Sequence, residues 1–532
     1  MHHLQHIAEL GPVLEALGAR HIIIAPGSRN APLIQLFTSL PGFSCHSMVD
    51  ERSAGYVALG MAKQLGEPVV LVTTSGTAVL NLSPALAEAY QQQLPLLVLT
   101  ADRPREIIPQ FNNQVCDQRA PYFNFSKGFF EFPAEAREEE DLERGIRSAS
   151  SLFLEALAYP AGPVHLNITL TEPLYESLPG PILALEELMP DTEKPLSGTG
   201  LVPDLELAGK KVLILAGMGK RDTVLQQALE QLQVAVVAEN ISNLGAEQFI
   251  SLPELVLAGA SDNEREALIP DIVIASRQQV VSKRLKLFLQ SQENIQIMQL
   301  QDDPDLTDLI REHAAMPGPD TSYRNLWKEI ENRECKKAED YLRQASFGNL
   351  TAMARILDAV PAHATIHLGN SATIRYSQLV RSRSDQQFFS NRGISGIDGS
   401  LSSAVGAAMV SEDQHLLILG DLSFVYDSNA LWNKDFPENL KIVVLNDGGG
   451  GIFRLLHGPD QMGFFEEFSV THHPVSLELL SASFGRRFAR ATRLEEMDQH
   501  LKTLWEPGHR LSVLEVDTTA SDNSRIFKAL FK

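Results

Sequence analysis

The sequence predicts an α/β protein of three domains, each a parallel sheet flanked by helices. Three observations carry the fold class. Short apolar runs alternate with helix-period stretches along the chain, the pattern of parallel sheets covered by helices. Several runs end in turn-forming or reactive residues, which is where open α/β sheets bind ligands. The 532 residues also exceed what one hydrophobic core can organise, a limit of roughly 250 to 300 residues.

In the first domain (1–180) the predicted strands are His21–Ala25, Val69–Thr73, Pro95–Thr100 and Val164–Ile168. Ser53–Gln64 and Ala78–Gln91 have the apolar spacing of crossover helices. The strand ends read Ala25-Pro26-Gly27-Ser28-Arg29, Thr74-Ser75-Gly76-Thr77 and Ala101-Asp102-Arg103-Pro104. From Thr171 to about Leu205, proline, glycine and acidic residues accumulate, as in a linker over a domain surface. The central domain (195–335) follows, with strands near Val212–Ala216, Val234–Ala238, Ile272–Ala275 and Ile295–Met298. After the charged segment Lys328–Arg343, the third domain (345–532) contributes Thr365–Leu368, Leu416–Leu419, Lys441–Leu445 and Ser512–Val516.

A formal net charge of -22 argues against nucleic acid or an anionic membrane as partner, so an anionic substrate needs local clusters of arginine and lysine. Three scattered cysteines, Cys45, Cys116 and Cys335, fit a reducing compartment, and no apolar run is long enough to span a bilayer. The expectation is a cytoplasmic protein.

The most informative stretch pairs two strand ends. Leu416–Leu419 runs into Gly420-Asp421-Leu422-Ser423-Phe424; after the helix-like Asp427–Trp432, the next strand delivers Asn446-Asp447-Gly448-Gly449-Gly450-Gly451-Ile452-Phe453. Adjacent strands aim Asp421 and Asp447 at one point. Two carboxylates and a carbonyl of the glycine run make a partial shell for magnesium, and the glycines let the backbone approach a diphosphate. Taken singly, each motif is equally a strand-end turn or a glycine loop; their pairing favours the diphosphate reading. No dinucleotide fingerprint or P-loop accompanies these strands.

This spacing resembles the thiamine-diphosphate signature, Gly-Asp followed on the next strand by Asn-Asn, with Asp447 in place of the second asparagine. The resemblance nominates Asp421, Asp447 and the Gly449 carbonyl as ligands of Mg2+, or alternatively Mn2+. It also nominates Thr77, Gly420, Leu422, Ser423, Ile452 and Phe453 as cofactor contacts, and Ile397 as the apolar prop under the bent cofactor. Glu51, in Met48-Val49-Asp50-Glu51-Arg52 before a helix expected to begin near Ser53, matches the glutamate that pushes the aminopyrimidine toward its imino form. By itself Asp50-Glu51 is also an ordinary pair of helix-start acids. The resemblance implies the thiamine-diphosphate-binding fold. In this superfamily sites form between pyrimidine and diphosphate domains of two subunits, so the resemblance implies a homodimer or a dimer of dimers.

Longer stretches narrow the family. His21–Pro32, Asp50-Glu51-Arg52, Thr74–Ala78, Thr100–Pro104, Gly369-Asn370-Ser371, Asn391–Gly399 and Gly420–Phe424 look like the 2-succinyl-5-enolpyruvyl-6-hydroxy-3-cyclohexene-1-carboxylate synthases of menaquinone biosynthesis, with the resemblance covering essentially the whole chain. Those transferases decarboxylate 2-oxoglutarate on thiamine diphosphate and add the resulting carbanion equivalent to isochorismate. Both substrates are polyanions. The resemblance implies Ser28, Arg29, Arg103, Gln114, Lys283, Arg284, Ser371, Arg375 and Arg392 as substrate-binding residues, with Arg375 and Arg392 at the oxoacid end. Paired guanidinium donors suit carboxylates. The alternative is another thiamine-diphosphate 2-oxo-acid decarboxylase or an acetohydroxyacid synthase, whose smaller substrates need fewer cations.

Overall fold

The computed structural model describes residues 2–107, 114–119, 121–132, 138–188, 208–232, 234–276, 280–299, 320–455, 458, 461–506 and 508–531. These residues build three sheets in which every strand pairing is parallel. Among them no helix is long and apolar enough to cross a membrane. The chain divides into two compact units, 1–197 with 393–412 and 427–437, and 198–392 with 413–426 and 438–532.

The first unit holds the strands β1 (His21–Ile24), β2 (Ser44–Ser47), β3 (Val69–Thr73), β4 (Leu96–Asp102), β5 (Phe129–Phe132) and β6 (Val164–Thr169), in the order β2-β1-β3-β4-β6-β5. Every residue of β3, β4 and β6 is buried, as expected for strands covered on both faces. The second unit holds two sheets. One is β10-β9-β7-β8, from β7 (Val212–Ala216), β8 (Ala235–Ala238), β9 (Ile272–Ser276) and β10 (Gln296–Gln299). The other is β12-β11-β13-β14-β16-β15, from β11 (Thr365–Leu368), β12 (Gln387–Ser390), β13 (His415–Gly420), β14 (Leu440–Asn446), β15 (Arg487–Ala491) and β16 (Leu511–Asp517).

Four of these strands escape the sequence reading: β2, β5, β12 and β15. All four are sheet edges. An edge strand has one neighbour and one open flank, so Ser44-Cys45-His46-Ser47 or Arg487–Ala491 can be polar or mixed and leave no apolar run to find.

Helix limits also differ in informative ways. The predicted helix Ala78–Gln91 is two, Thr77–Asn81 and Ser83–Gln91, because Pro84 lies in the first turn of the second. The helix expected near Ser53 begins at Glu51, since the Asp50 carboxylate caps it by accepting from the N–H groups of Arg52 (2.9 Å) and Ser53 (3.4 Å). The charged segment Lys328–Arg343 lies inside the helix Thr321–Gln344, which buries Tyr323, Trp327, Ile330 and Cys335. Of the expected linker, 171–188 is described and contains the short helix Leu185–Leu188; the remainder, to Leu205, lies outside the described residues.

In the first unit the helix Glu51–Leu65 packs closely on Ser400–Met409, which comes from late in the sequence. A Cβ on Gly60 would stand 2.0 Å from the Ser403 carbonyl oxygen, and one on Gly406 2.0 Å from that of Val57. Glycine at both places lets the two backbones touch. In the second unit Asn243 ties the two sheets together, donating to the Phe388 carbonyl and accepting from the Phe388 N–H at 2.9 and 2.7 Å.

Candidate functional site

The loops after β1, β3 and β4 meet at the carboxyl end of the first sheet, and they bring together five residues implicated by the sequence. Arg29 is buried. Its Nη1 donates to the Leu170 carbonyl (3.1 Å) and its Nη2 to Glu172 (3.3 Å), while its Nε is buried without a hydrogen-bond partner among the described residues. Burial, then the neighbouring Arg103, lowers its pKa. Arg103 donates to Ser75 Oγ (3.0 Å) and to the Gln114 carbonyl (3.2 Å). Gln114 holds a left-handed backbone, φ 59°, and Gly76 beside it has φ 85°. A non-glycine residue in that region costs about 1–3 kcal/mol and is found where a site dictates the geometry. Ser28 and Thr77 are exposed on the same loops. Two cations in electrostatic range of each other, one with a donor that has no hydrogen-bond partner among the described residues, are chemically suited to a carboxylate. Behind them lies buried Gln118, which the sequence reading missed; its Oε1 accepts from the Gly76 N–H (3.1 Å) and its Nε2 donates to Asn167 (2.9 Å).

Glu51 is half-buried at the first position of its helix, where Asn81 donates to it at 3.2 Å. The segment carrying Ile397 is anchored in the same unit. Glu88 is buried and its carboxylate accepts from the N–H groups of Gly393 (2.6 Å) and Ile394 (2.7 Å), and Tyr56 donates to Asp398 (2.9 Å). Ile397 itself is half-buried. A glutamate two turns before a strand gives no sign in sequence that it will collect N–H groups some 300 residues away.

In the second unit β13 and β14 are paired neighbours, and their ends deliver Asp421 and Asp447 as the spacing predicts. Asp421 is buried; it accepts from the Leu422 N–H (2.8 Å) and lies 3.2 Å from His473 Nε2. Burial raises its pKa. Asp447 is pushed up to about 7, chiefly by burial and then by the charge of Asp421. Asn349 donates to it at 3.2 Å. A Cβ on Gly451 would fall 1.8 Å from Asp447 Oδ2, and Gly449 has φ 149°, so this turn requires glycine. Gly420, Leu422 and Ser423 line the start of the short helix Asp421–Tyr426, and Ile452 and Phe453 open the next, Ile452–Leu455. Buried Asp421 and half-buried Asp447, repelling each other beside the Gly449 backbone, fit a hard divalent cation, and the glycine turn fits a diphosphate. His473 and Asn349 come from distant segments with no motif to mark them.

The remaining cations fall in two groups. Ser371, with φ 71°, immediately precedes the helix Ala372–Ser377 without a side-chain capping bond, and Arg375 donates back to the Ser371 carbonyl at 2.8 Å. Arg392 donates to Asn370 Oδ1 (3.1 Å), and Asn370 in turn donates to the Asn391 carbonyl (2.6 Å). Arg375 and Arg392 are thus tied to the same Gly369-Asn370-Ser371 turn. Lys283 and Arg284 begin the helix Lys283–Gln290 and are exposed. Arg284 pairs with Glu254 at 3.0 Å and lies over the Phe531 ring, 4.8 Å from its centroid. Lys286, one turn further along that helix, is half-buried instead and senses the charges of Arg392 and Arg375.

Comparison with known proteins agrees with this geometry. Residues 8–120 match the thiamine pyrophosphate enzyme, N-terminal TPP binding domain, and residues 369–516 match the corresponding C-terminal TPP binding domain. The chain is 39% identical over 515 residues to the 2-succinyl-5-enolpyruvyl-6-hydroxy-3-cyclohexene-1-carboxylate synthase of Desulfotalea psychrophila, covering 92% of this chain and 94% of that one. The synthases of the same name from Flavobacterium johnsoniae and Flavobacterium psychrophilum are 33% and 35% identical, each alignment covering at least 96% of both chains. On the strength of these relatives, matched over nearly their whole length, and of the two matched binding domains, the chain belongs to the 2-succinyl-5-enolpyruvyl-6-hydroxy-3-cyclohexene-1-carboxylate synthase family of thiamine-diphosphate enzymes.

Proposed function

We propose that this enzyme decarboxylates 2-oxoglutarate and joins the resulting carbanion equivalent to isochorismate, releasing carbon dioxide and forming 2-succinyl-5-enolpyruvyl-6-hydroxy-3-cyclohexene-1-carboxylate. The observation that carries the reading, beside family membership, is that an acidic chain gathers buried or half-buried arginines at the ligand-binding ends of its sheets: Arg29 with Arg103, and Arg375 with Arg392. Substrates bearing several carboxylates need such receptors; pyruvate does not.

Thiamine diphosphate, when bound, supplies the electron sink for the decarboxylation. The protein binds, orients and moves protons. Asp421, Asp447 and the Gly449 carbonyl would hold a divalent cation, Mg2+ or Mn2+, against the diphosphate. Glu51 would hold the aminopyrimidine ring through its carboxylate, the group that sets the ring's protonation. Ile397 would hold the cofactor from its apolar side. Arg375 and Arg392 fix the oxoacid by its carboxylates, restricting it to the reactive orientation. Ser28, Arg29, Arg103 and Gln114 receive isochorismate.

The catalytic unit is a homodimer with sites shared between subunits, and the three free cysteines suit the reducing cytoplasm. Product formation from 2-oxoglutarate plus isochorismate, with thiamine diphosphate and Mg2+, tests the reaction; a preference for pyruvate would overturn it. Mixing Glu51→Gln with Asp421→Ala chains tests the sharing. Each hybrid dimer then regains one intact site, and activity that stays at the level of the separate variants would refute it.

A further inference from the structure

Two central strands of the first unit carry polar side chains where apolar ones would pack more cheaply. Thr100 and Asp102 of β4 lie beside His165 and Asn167 of β6, with Thr100 paired to Asn167 in the register, and all four are buried, as is Gln118. Their hydrogen bonds form one directed network. Asn167 Nδ2 donates to Asp102 Oδ2 (3.1 Å) and Glu131 Oε2 (3.5 Å), while its Oδ1 accepts from Thr100 Oγ1 (2.7 Å) and Gln118 Nε2 (2.9 Å). Gln118 Nε2 also donates to the Ala101 carbonyl (3.3 Å), and its Oε1 accepts from the Gly76 N–H (3.1 Å).

The polarity of this network is dictated from one end. A carboxylate only accepts, so Asp102, which also takes the Arg103 N–H (2.8 Å), and Glu131, which takes Arg105 Nε (2.7 Å), both face the Asn167 amide nitrogen. The Asn167 oxygen then faces Thr100 and Gln118, and Gln118 must turn its nitrogen inward and its oxygen to Gly76. Burial pushes the His165 pKa down to about 3, so the ring is neutral; with the Thr100 proton given to Asn167, His165 Nε2–H donates to Thr100 Oγ1 (2.7 Å).

The other end is the turn Ser75-Gly76-Thr77. Gly76 has φ 85°, and its carbonyl accepts from Cys116 Sγ at 3.4 Å. Ser75 Oγ accepts from Arg103 and donates to the Gln114 carbonyl, both at 3.0 Å. Arg103 is thus tied in twice, by its own N–H at Asp102 and by its guanidinium at Ser75, next to Gly76. A buried polar network with its bonds made holds its members in one arrangement.

We infer that Gln118 and Asn167 are positioning residues that set Arg103 and the Gly76–Thr77 turn together, so that the isochorismate receptor and the cofactor contact are built as one piece. The inference rests on the reading above of Arg103 and Gln114 as isochorismate donors and of Thr77 as a cofactor contact.

The test uses the holoenzyme at saturating 2-oxoglutarate. Gln118→Met keeps the side-chain length and removes both hydrogen-bonding ends. It should raise KM for isochorismate about tenfold, the loss expected when a buried N–H is left without its acceptor, with KM for 2-oxoglutarate within about twofold of wild type. Gln118→Glu separates positioning from packing. Protonated, its carboxyl offers an oxygen to Gly76 and a proton to Asn167, as the amide does; ionised, it keeps only the acceptor and repels the Asn167 oxygen. Its kcat/KM for isochorismate is divided by the wild-type value at each pH, which removes the titration of the surrounding Asp102, Cys116, Asp117, Glu131 and His165. That ratio should fall about tenfold as the pH is raised from about 6 to about 9. If the methionine variant melts early, the glutamate variant, which retains an acceptor for Gly76, carries the test. A ratio that does not move with pH, or an unchanged KM for isochorismate in Gln118→Met, would overturn the inference alone. An unchanged KM for isochorismate in Arg103→Ala would overturn the reading of the receptor on which it rests.

Discussion

Asp427 offers a quantitative check on how the first unit is held together. It is wholly buried and accepts two hydrogen bonds from Ser402, from the N–H and from Oγ, both at 2.7 Å. Ser402 Oγ also lies 2.9 Å from Ser53 Oγ, so this carboxylate fixes the contact between the helix carrying Glu51 and the helix Ser400–Met409. Arg52 stands 3.8 Å away. Burial outweighs these favourable partners, and Asp398 adds to it, so the pKa rises from the ordinary 3.8 to about 7. A carboxyl with a raised folded pKa binds more protons folded than unfolded between those two values. Stability therefore falls as pH rises through that interval and stays lower above it. For a single group with these two pKa values, linkage puts the loss between pH 5 and pH 8 at about 2–3 kcal/mol. Asp427→Asn keeps an acceptor for the Ser402 N–H and removes the titration. In urea unfolding at constant ionic strength, the variant should gain on the wild type by about 2 kcal/mol between pH 5 and pH 8. Parallel stability profiles would refute the reasoning.

Other expectations are simpler to state. Glu51→Gln should preserve the fold and most cofactor binding while slowing hydrogen–deuterium exchange at C2 of bound thiamine diphosphate; an unchanged rate removes the glutamate from that step. Asp421→Ala should weaken thiamine diphosphate binding in calorimetric titrations, with only partial recovery in excess Mg2+, whereas Asp447→Asn, which keeps a side-chain oxygen, should remain largely active. Gly60→Ala should destabilise the protein by about 1–3 kcal/mol in urea unfolding, because the Ser403 backbone blocks the added methyl. Gly180→Ala, with nothing within 4 Å of the new methyl, should stay within about 0.5 kcal/mol of wild type.

The sequence by itself determined the features written in contiguous residues. Buried strands such as β3, β4 and β13 are unbroken apolar runs because both of their faces are covered. Asp421 and Asp447 could be paired because they end adjacent strands of one sheet, and Gly448–Gly451 could be read as a tight turn because few other residues permit one. Tertiary structure alone decided the rest. Edge strands such as β2 and β15 carry no clear apolar run, and Asp50 moved the helix start onto Glu51 through its side-chain cap. Glu88, Asn349 and His473 were invisible because each gains its role from a partner far away in sequence. The same holds for the basic helix at Lys283. Three of its first four residues are cations, and composition cannot rank them. The fold separates them, turning Arg284 to Glu254 and Phe531, leaving Lys283 exposed and half-burying Lys286, since a helix advancing 100° per residue sends neighbouring side chains to different surroundings.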